Sequence, residues 1–191
     1  MKGLLVILSG PSASGKDTVI QEWKNIDERV RKIVTCTTRK PRHGEQDGVD
    51  YVFLTPEAFQ KGIEENLFLE YKNVHGYLYG TPIADVEKAL HEGCIVVLKI
   101  DVQGGMEVKH KRPDALSIFL KPPSIQELER RMRTRGLNNE IEIQRRLQDA
   151  EGELARAPYY DYIVINDDAK RAAQEISNIV RKHLNQREQT S

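Results

Sequence analysis

Seven residues near the start of the chain, Gly10-Pro11-Ser12-Ala13-Ser14-Gly15-Lys16, satisfy the spacing GxxxxGK. They follow an apolar run, Gly3 to Leu8, and precede a stretch with helical character. Strand, glycine loop and helix in that order form the context in which this pattern binds phosphate. Glycines let the backbone curl until its N–H groups face inward at phosphate oxygens, and the start of the following helix adds partial positive charge. Lys16 supplies a mobile cation for the β- and γ-phosphates of a nucleoside triphosphate. The plain alternative is a glycine-rich turn with no ligand. One position departs from the pattern. The Ser or Thr expected after the lysine, whose hydroxyl would hold Mg²⁺, is Asp17, and Thr18 comes one residue later. Three readings stay open: the hydroxyl's role passes to Thr18, Asp17 holds the metal through water, or Asp17 is simply a favourable acid in a helix's first turn.

A second constellation lies downstream. Arg39-Lys40-Pro41-Arg42, then Gly44-Glu45, then Asp50-Tyr51, bring two guanidinium groups and a phenol close together in sequence. Forked donors suit a phosphate monoester, although either arginine alone is equally at home solvating a loop. The chain as a whole carries 29 Lys plus Arg against 29 Asp plus Glu, a formal net charge of zero. That argues against a protein built to coat nucleic acid, which must neutralise many phosphates. The balance is uneven along the chain. Arg29 to Arg42 holds six basic residues and no acid, and Arg130 to Arg146 holds six arginines against two glutamates. Each cluster can be read as a solvated face; two of them also suit a small polyanion held from two sides.

The elements that must position these residues follow from hydrophobic pattern and punctuation. Gly3 to Leu8 and Cys94 to Ile100 read as strands buried on both faces, with Lys99 the one misfit. Shorter strands are expected at Arg31–Thr35, Tyr51–Leu54, Leu67–Lys72, Tyr77–Tyr79, Ser117–Leu120 and Tyr162–Ile165. Helices are expected from Asp17 to Asn25, from Pro56 to Glu65 behind a Thr55 cap, and from Pro82 to Glu92 with Gly93 as a stop. Ser124 and Glu127 form a capping-box pattern ahead of a further helix. A long helix is expected from Glu140 to Arg156. The last helix carries Ala169, Ala172, Ala173, Ile176, Val180 and Leu184 on one stripe, followed by a polar tail from Gln186. Strands alternating with helices imply an α/β fold with a parallel sheet. The stretch from Thr37 to Tyr79 breaks that rhythm and reads as an inserted lobe. At roughly 150 residues per domain, a chain of 191 is one domain with something added.

The ordered set TTRKPRxGExDGxDY (Thr37–Tyr51), FLEY (Phe68–Tyr71), YGT (Tyr79–Thr81), IDVQG (Ile100–Gly104) and NDD (Asn166–Asp168) resembles the guanylate kinase family of P-loop nucleoside monophosphate kinases, from about Leu4 to Asp168. The resemblance implies a P-loop core (1–34, 83–125 and 148–185), a GMP-binding lobe (35–82), a helical lid (126–147) and a polar tail (186–191). It implies that Arg39, Arg42, Tyr51 and Tyr79 hold the GMP phosphate, and that Glu70 reads guanine with Thr35, Thr81 and Asp101 assisting. Gly10 to Thr18 would surround the ATP phosphates. Arg131, Arg135 and Arg146 would close over ATP, with Lys16, Arg39, Arg135 and Arg146 as catalytic charges, and Asn166 would lie near adenine. Asn166 is equally read as a strand-end residue satisfying a turn. Asp101 is read as a ligand contact in preference to a helix cap. Lys99 stands where the family usually has an acid, and no contact is assigned to it. The implied cofactor is Mg²⁺ with ATP.

Two rivals remain at this stage. One is a catalytically silent, peptide-binding module of the same family, which would be expected to have lost its phosphate loop or lid arginines. The other is a kinase of the same fold acting on a sugar phosphate, against which Glu70 and the YGT segment argue. Cys36 and Cys94 lack metal or redox spacing. With no disulfide framework and no export-type or spanning apolar run, a cytoplasmic protein without membrane or nucleic-acid partners is expected. Monomer and homodimer both stay open. Trp23 is expected in the core, His75 and His91 at the surface, and Tyr159, Tyr160 and Tyr162 against the last strand.

Overall fold

The structure is a computed structural model that describes residues 3–74, 76–134 and 139–189. Its centre is β1 (Leu4–Ser9), a strand buried at every residue. Strand β2 is Val30–Lys32, β7 is Ile95–Lys99, β8 is Leu116–Lys121 and β9 is Tyr162–Ile165. Together they make a parallel sheet in the order β2-β7-β1-β8-β9. Helices α1 (Lys16–Ile26) and α7 (Ala169–Gln189) cover one face; α3 (Ile83–His91) and α4 (Val102–Lys111) cover the other. The period-2 alternation of a strand divides β1 between them. Leu4, Val6 and Leu8 pack with Val19, Ile20 and Trp23 of α1 and Ala172, Ile176 and Val180 of α7. Leu5 and Ile7 pack with Val86 and Ala89 of α3 and Val102 and Val108 of α4. Trp23 is wholly buried in the first of these clusters, and its indole N–H meets no acceptor among the described residues.

A second, mixed sheet is built from β3 (Cys36–Thr37), β4 (Val52–Phe53), β5 (Phe68–Val74) and β6 (Tyr77–Pro82), in the order β4-β3-β6-β5. Helix α2 (Pro56–Glu64) lies between β4 and β5, and Thr55 caps it by accepting from Ala58 N, as its sequence foretold. Phe59 of α2 stacks on Phe68 of β5 at 4.4 Å. Helices α5 (Ile125–Thr134) and α6 (Glu140–Leu154) form a pair over a small cluster of Leu128, Met132, Ala150 and Ala13.

Three expectations change. The strand expected over Arg31–Thr35 is divided: Val30–Lys32 joins the first sheet, pairing ends with Ile33 N on Val97 O, and Cys36–Thr37 already belongs to the second. The polar tail from Gln186 is instead the last turn of α7, whose hydrogen bonding continues to Gln189. Helix α4 was not foreseen. Its first turn holds Gly104 and Gly105, poor helix formers whose place is set by crowding rather than propensity.

Candidate active site

The site sits at the carboxyl ends of the parallel strands, the crevice where open α/β sheets bind ligands. β1 delivers the loop Gly10–Gly15, β7 delivers Ile100 and Asp101, and β9 delivers Asn166. Gly15 has φ +92°, a left-handed conformation that a glycine adopts freely, and Ala13 is also left-handed at +64°. Lys16 turns back over the loop: its ammonium donates to the Gly10 and Pro11 carbonyls, the latter at 2.9 Å, and to Ser14 Oγ at 3.4 Å.

The loop is held from behind. Asn166 Nδ2 donates to Ser14 O at 2.7 Å, and Arg131 donates to the same carbonyl at 3.4 Å and to Asn166 O at 2.9 Å. A Cβ on Gly15 would lie 2.3 Å from Asn166 Nδ2, so the close approach requires glycine. Asn166 thus braces the phosphate loop, a form of the turn-satisfying role. It also walls a cavity of about 280 Å³ together with Gly15, Thr18, Arg131 and Asp167. Arg146 Nη1 reaches Ser12 Oγ at 3.4 Å while its other donors hold Glu142. Arg130 and Arg131 bind Glu127 and hold its carboxyl down at about 2. Arg135 lies outside the described residues, as does His75.

The second cavity, of about 300 Å³, opens between the two sheets. Thr35, Arg39, Arg42, Tyr51, Glu70, Tyr79 and Asp101 all line it, residues separated by up to 66 positions in the chain (101 − 35). Arg39 is buried, clamped by both oxygens of Glu45 at 2.8 and 2.9 Å, and lies 5.3 Å over the Tyr51 ring. The Glu45 contact, then that of Tyr79, raises the already high guanidinium pKa. Glu45 also accepts from the backbone N–H of Arg42 at 2.8 Å, so one carboxylate holds the Arg39 guanidinium and the loop backbone at Arg42. The rings of Tyr51 and Tyr79 meet edge to face at 5.9 Å.

Glu70, on β5, is only 4% exposed. Burial raises its pKa; the hydrogen bond from Thr81 Oγ1, 2.6 Å, opposes that rise, and the charge of Asp101 adds to it. Gly104 makes the space: a Cβ there would lie 3.0 Å from Glu70 Oε2. Asp101 does cap α4, with Oδ1 accepting from Gly104 N at 2.9 Å and from Lys72 Nζ at 2.8 Å, and it still faces the cavity.

Several participants escaped sequence reading. Glu45 and Gly104 lay inside quoted motifs without a role. Lys32 and Lys72 line the cavity with no motif to mark them. Half-buried Glu153 of α6 has its carboxyl pushed up to about 6 by burial, with Lys16 pulling it down and Asp101 pushing it up. Lys99 pairs with Asp17, which no spacing rule links across 82 residues. Cys36 and Cys94 are buried free thiols. Of the three tyrosines, Tyr160 packs on Phe119, whereas Tyr159 is exposed.

A glycine-and-lysine loop at the end of a buried parallel strand, facing a second cavity lined by the clamped Arg39 and by Arg42, defines a P-loop phosphotransferase architecture. The family model for guanylate kinase matches residues 2–183. A guanylate kinase of Caldanaerobacter subterraneus subsp. tengcongensis is 44% identical over 94% of this chain and 87% of its own length. That of Clostridioides difficile is 41% identical over 96% and 90%. The crystal structure of guanylate kinase from Anaplasma phagocytophilum superposes with a TM-score of 0.77 at 34% identity, covering 95% of this chain and 86% of that one. The chain belongs to the guanylate kinase family.

Proposed function

We propose that the protein transfers the terminal phosphoryl group of ATP directly to GMP, and to dGMP, giving ADP and GDP. The observation that carries this reading is Glu70, a buried carboxylate within a cavity whose other residues include Arg42 and the clamped Arg39. A carboxylate accepts hydrogen bonds from guanine N1–H and the exocyclic amine together, and adenine has no such donor pair at that edge. By analogy with base-edge readout the pair discriminates by about 1–3 kcal/mol. Arg39, Arg42, Tyr51 and Tyr79 would hold the acceptor phosphate, and Thr35, Thr81 and Asp101 would support the base. The ATP phosphates would lie in the loop from Gly10 to Thr18, with Arg131 and Asn166 against the nucleotide.

Because the phosphoryl transition state is loose, positioning and charge supply the catalysis, in line and without a covalent intermediate. Lys16 leaves its resting carbonyl contacts for phosphate oxygens, and Arg146, with Arg135, neutralises charge on the group in transit. The Thr18 hydroxyl at the helix start would offer Mg²⁺ a hard oxygen, whereas both oxygens of Asp17 already accept from Lys99. Among the described residues there is no cluster of three or more His, Cys, Asp or Glu that could hold a metal, which suits an ion brought in on the nucleotide. Bound there, Mg²⁺ would neutralise charge on the ATP oxygens. Residues 35–82 would act as acceptor lobe and 126–147 as lid. Among the described residues no helix is long and apolar enough to cross a membrane, and we place the activity in the cytoplasm.

ADP release, measured with GMP, dGMP, AMP, CMP, UMP and a ribose bisphosphate as acceptors, tests the proposal. Turnover confined to GMP and dGMP is expected. Equal turnover with the other bases sinks the role of Glu70, and no turnover with any acceptor points to a binding module.

A further inference from the structure

The two positions at which the chain departs from its family pattern meet in space. Lys99 Nζ donates to both oxygens of Asp17, at 2.8 and 3.0 Å. Lys32 Nζ lies 3.6 Å from the same carboxylate. Lys99 ends β7 and Lys32 ends the adjacent β2, so both side chains leave the sheet side by side. Both line the acceptor cavity. Asp17 directly follows Lys16 in the first turn of α1. The trio therefore occupies the seam between phosphate loop and acceptor cavity, the boundary a transferring group must cross.

Charge there does not balance. Two lysines and one aspartate leave one positive charge over, whereas Arg39 is matched by Glu45 and Lys72 by Asp101. The lysine side chains are only 23% and 26% exposed, so water screens them poorly. Pinning α1 to the sheet would need one lysine; a second, half-buried beside it, is an arrangement that an arriving anion relieves. Lysine has three N–H donors and Asp17 engages two of those on Lys99, which leaves one direction for another acceptor.

We propose that Lys99, backed by the charge of Lys32, is a further substrate-contacting cation for the phosphate of the acceptor nucleotide. The inference rests on the acceptor reading given above. Its test is calorimetric titration of GMP and of guanosine, which lacks the phosphate, without ATP or metal, into the native protein and the variants Lys99→Met and Lys99→Arg. Lys99→Met is expected to weaken GMP binding roughly tenfold or more, the usual scale for a hydrogen bond to a charged group, with guanosine binding unchanged. Lys99→Arg keeps the charge and is expected to recover most of the loss. GMP binding by Lys99→Met equal to native overturns the proposal, as does an equal loss for guanosine or a failure of arginine to rescue. If native protein turns over GMP while Lys99→Met binds it normally, only this inference falls. If native protein turns over no GMP, the parent reading falls with it.

Discussion

Glu70 is costly to bury. Its carboxyl is nearly sealed from water and, among the described residues, accepts one hydrogen bond, from Thr81. On the reading proposed above, guanine would supply the further donors. Glu70→Gln should lower kcat/KM for GMP by roughly 5–150-fold, the equivalent of about 1–3 kcal/mol, and leave the KM for ATP unmoved. Unchanged guanine preference would reassign the residue to structure. Lys16→Ala should abolish transfer while circular dichroism shows an intact fold.

Glu153 carries a pH signature with the opposite sense to a salt-bridged acid. Its folded pKa of about 6 lies above the ordinary glutamate value of 4.5, so the folded state binds the extra proton. Stability from this group is full below about 4.5 and is lost as pH rises through 6. Glu153→Gln should therefore unfold at higher temperature than native at pH 7, by about 1 kcal/mol after solvent screening. The two should converge near pH 4.5; a gap that persists there would exclude titration of Glu153 as its source. Residue types announced the phosphate loop and the arginines, because their spacing is local. The pairing of Asp17 with Lys99, and the burial of Glu70, depend on which strand ends come together, and no single segment encodes that.

Among the elements, strands and caps were the legible part. GLLVIL is apolar throughout because β1 is covered on both faces, and Thr55-Pro56 writes a helix start directly. Helix α4 was not legible for the reason it matters. Gly104 and Gly105 argue against a helix by propensity, yet each stands where a side chain would collide. A Cβ on Gly105 would lie 2.5 Å from Tyr160 Oη and 2.7 Å from Ser9 Oγ. Gly105→Ala gains at most about 1 kcal/mol of helix propensity and should still lose about 1–3 kcal/mol to overpacking. Thermal unfolding should fall by roughly 2–10 °C. An unchanged midpoint would mean that α4 shifts freely on the sheet. The turn from β9 brings Asn166 under the phosphate loop, so Asn166→Ala should weaken ATP binding without touching any acceptor residue. A loss confined to GMP would contradict the bracing role.

On the scale of the whole molecule, donor and acceptor cavities open on the same edge of the sheet, each built partly from segments outside it. An open site would waste ATP on water, so lobe and lid are expected to close together. Small-angle scattering should show a smaller radius of gyration with GMP and a non-hydrolysable ATP analogue than with neither. Identical dimensions would rule out that closure. The zero net charge is consistent with this division of labour. Acids such as Glu45 and Glu127 pair with Arg39 and Arg131 beside the two cavities, so little field is left to attract a long polyanion.

Trp23 is the sole tryptophan, and it lies on the sheet-facing side of α1, walled off from solvent with its indole N–H unbonded among the described residues. Its emission is consequently expected to lie to the blue of that of a hydrated indole. That light would report on the central sheet and the two helices of the face that α1 and α7 cover, and would be blind to arginines moving over a nucleotide. The chain thus carries its own internal standard: a substitution that dims catalysis but leaves the blue fluorescence in place has altered chemistry, and one that shifts it to the red has opened the core.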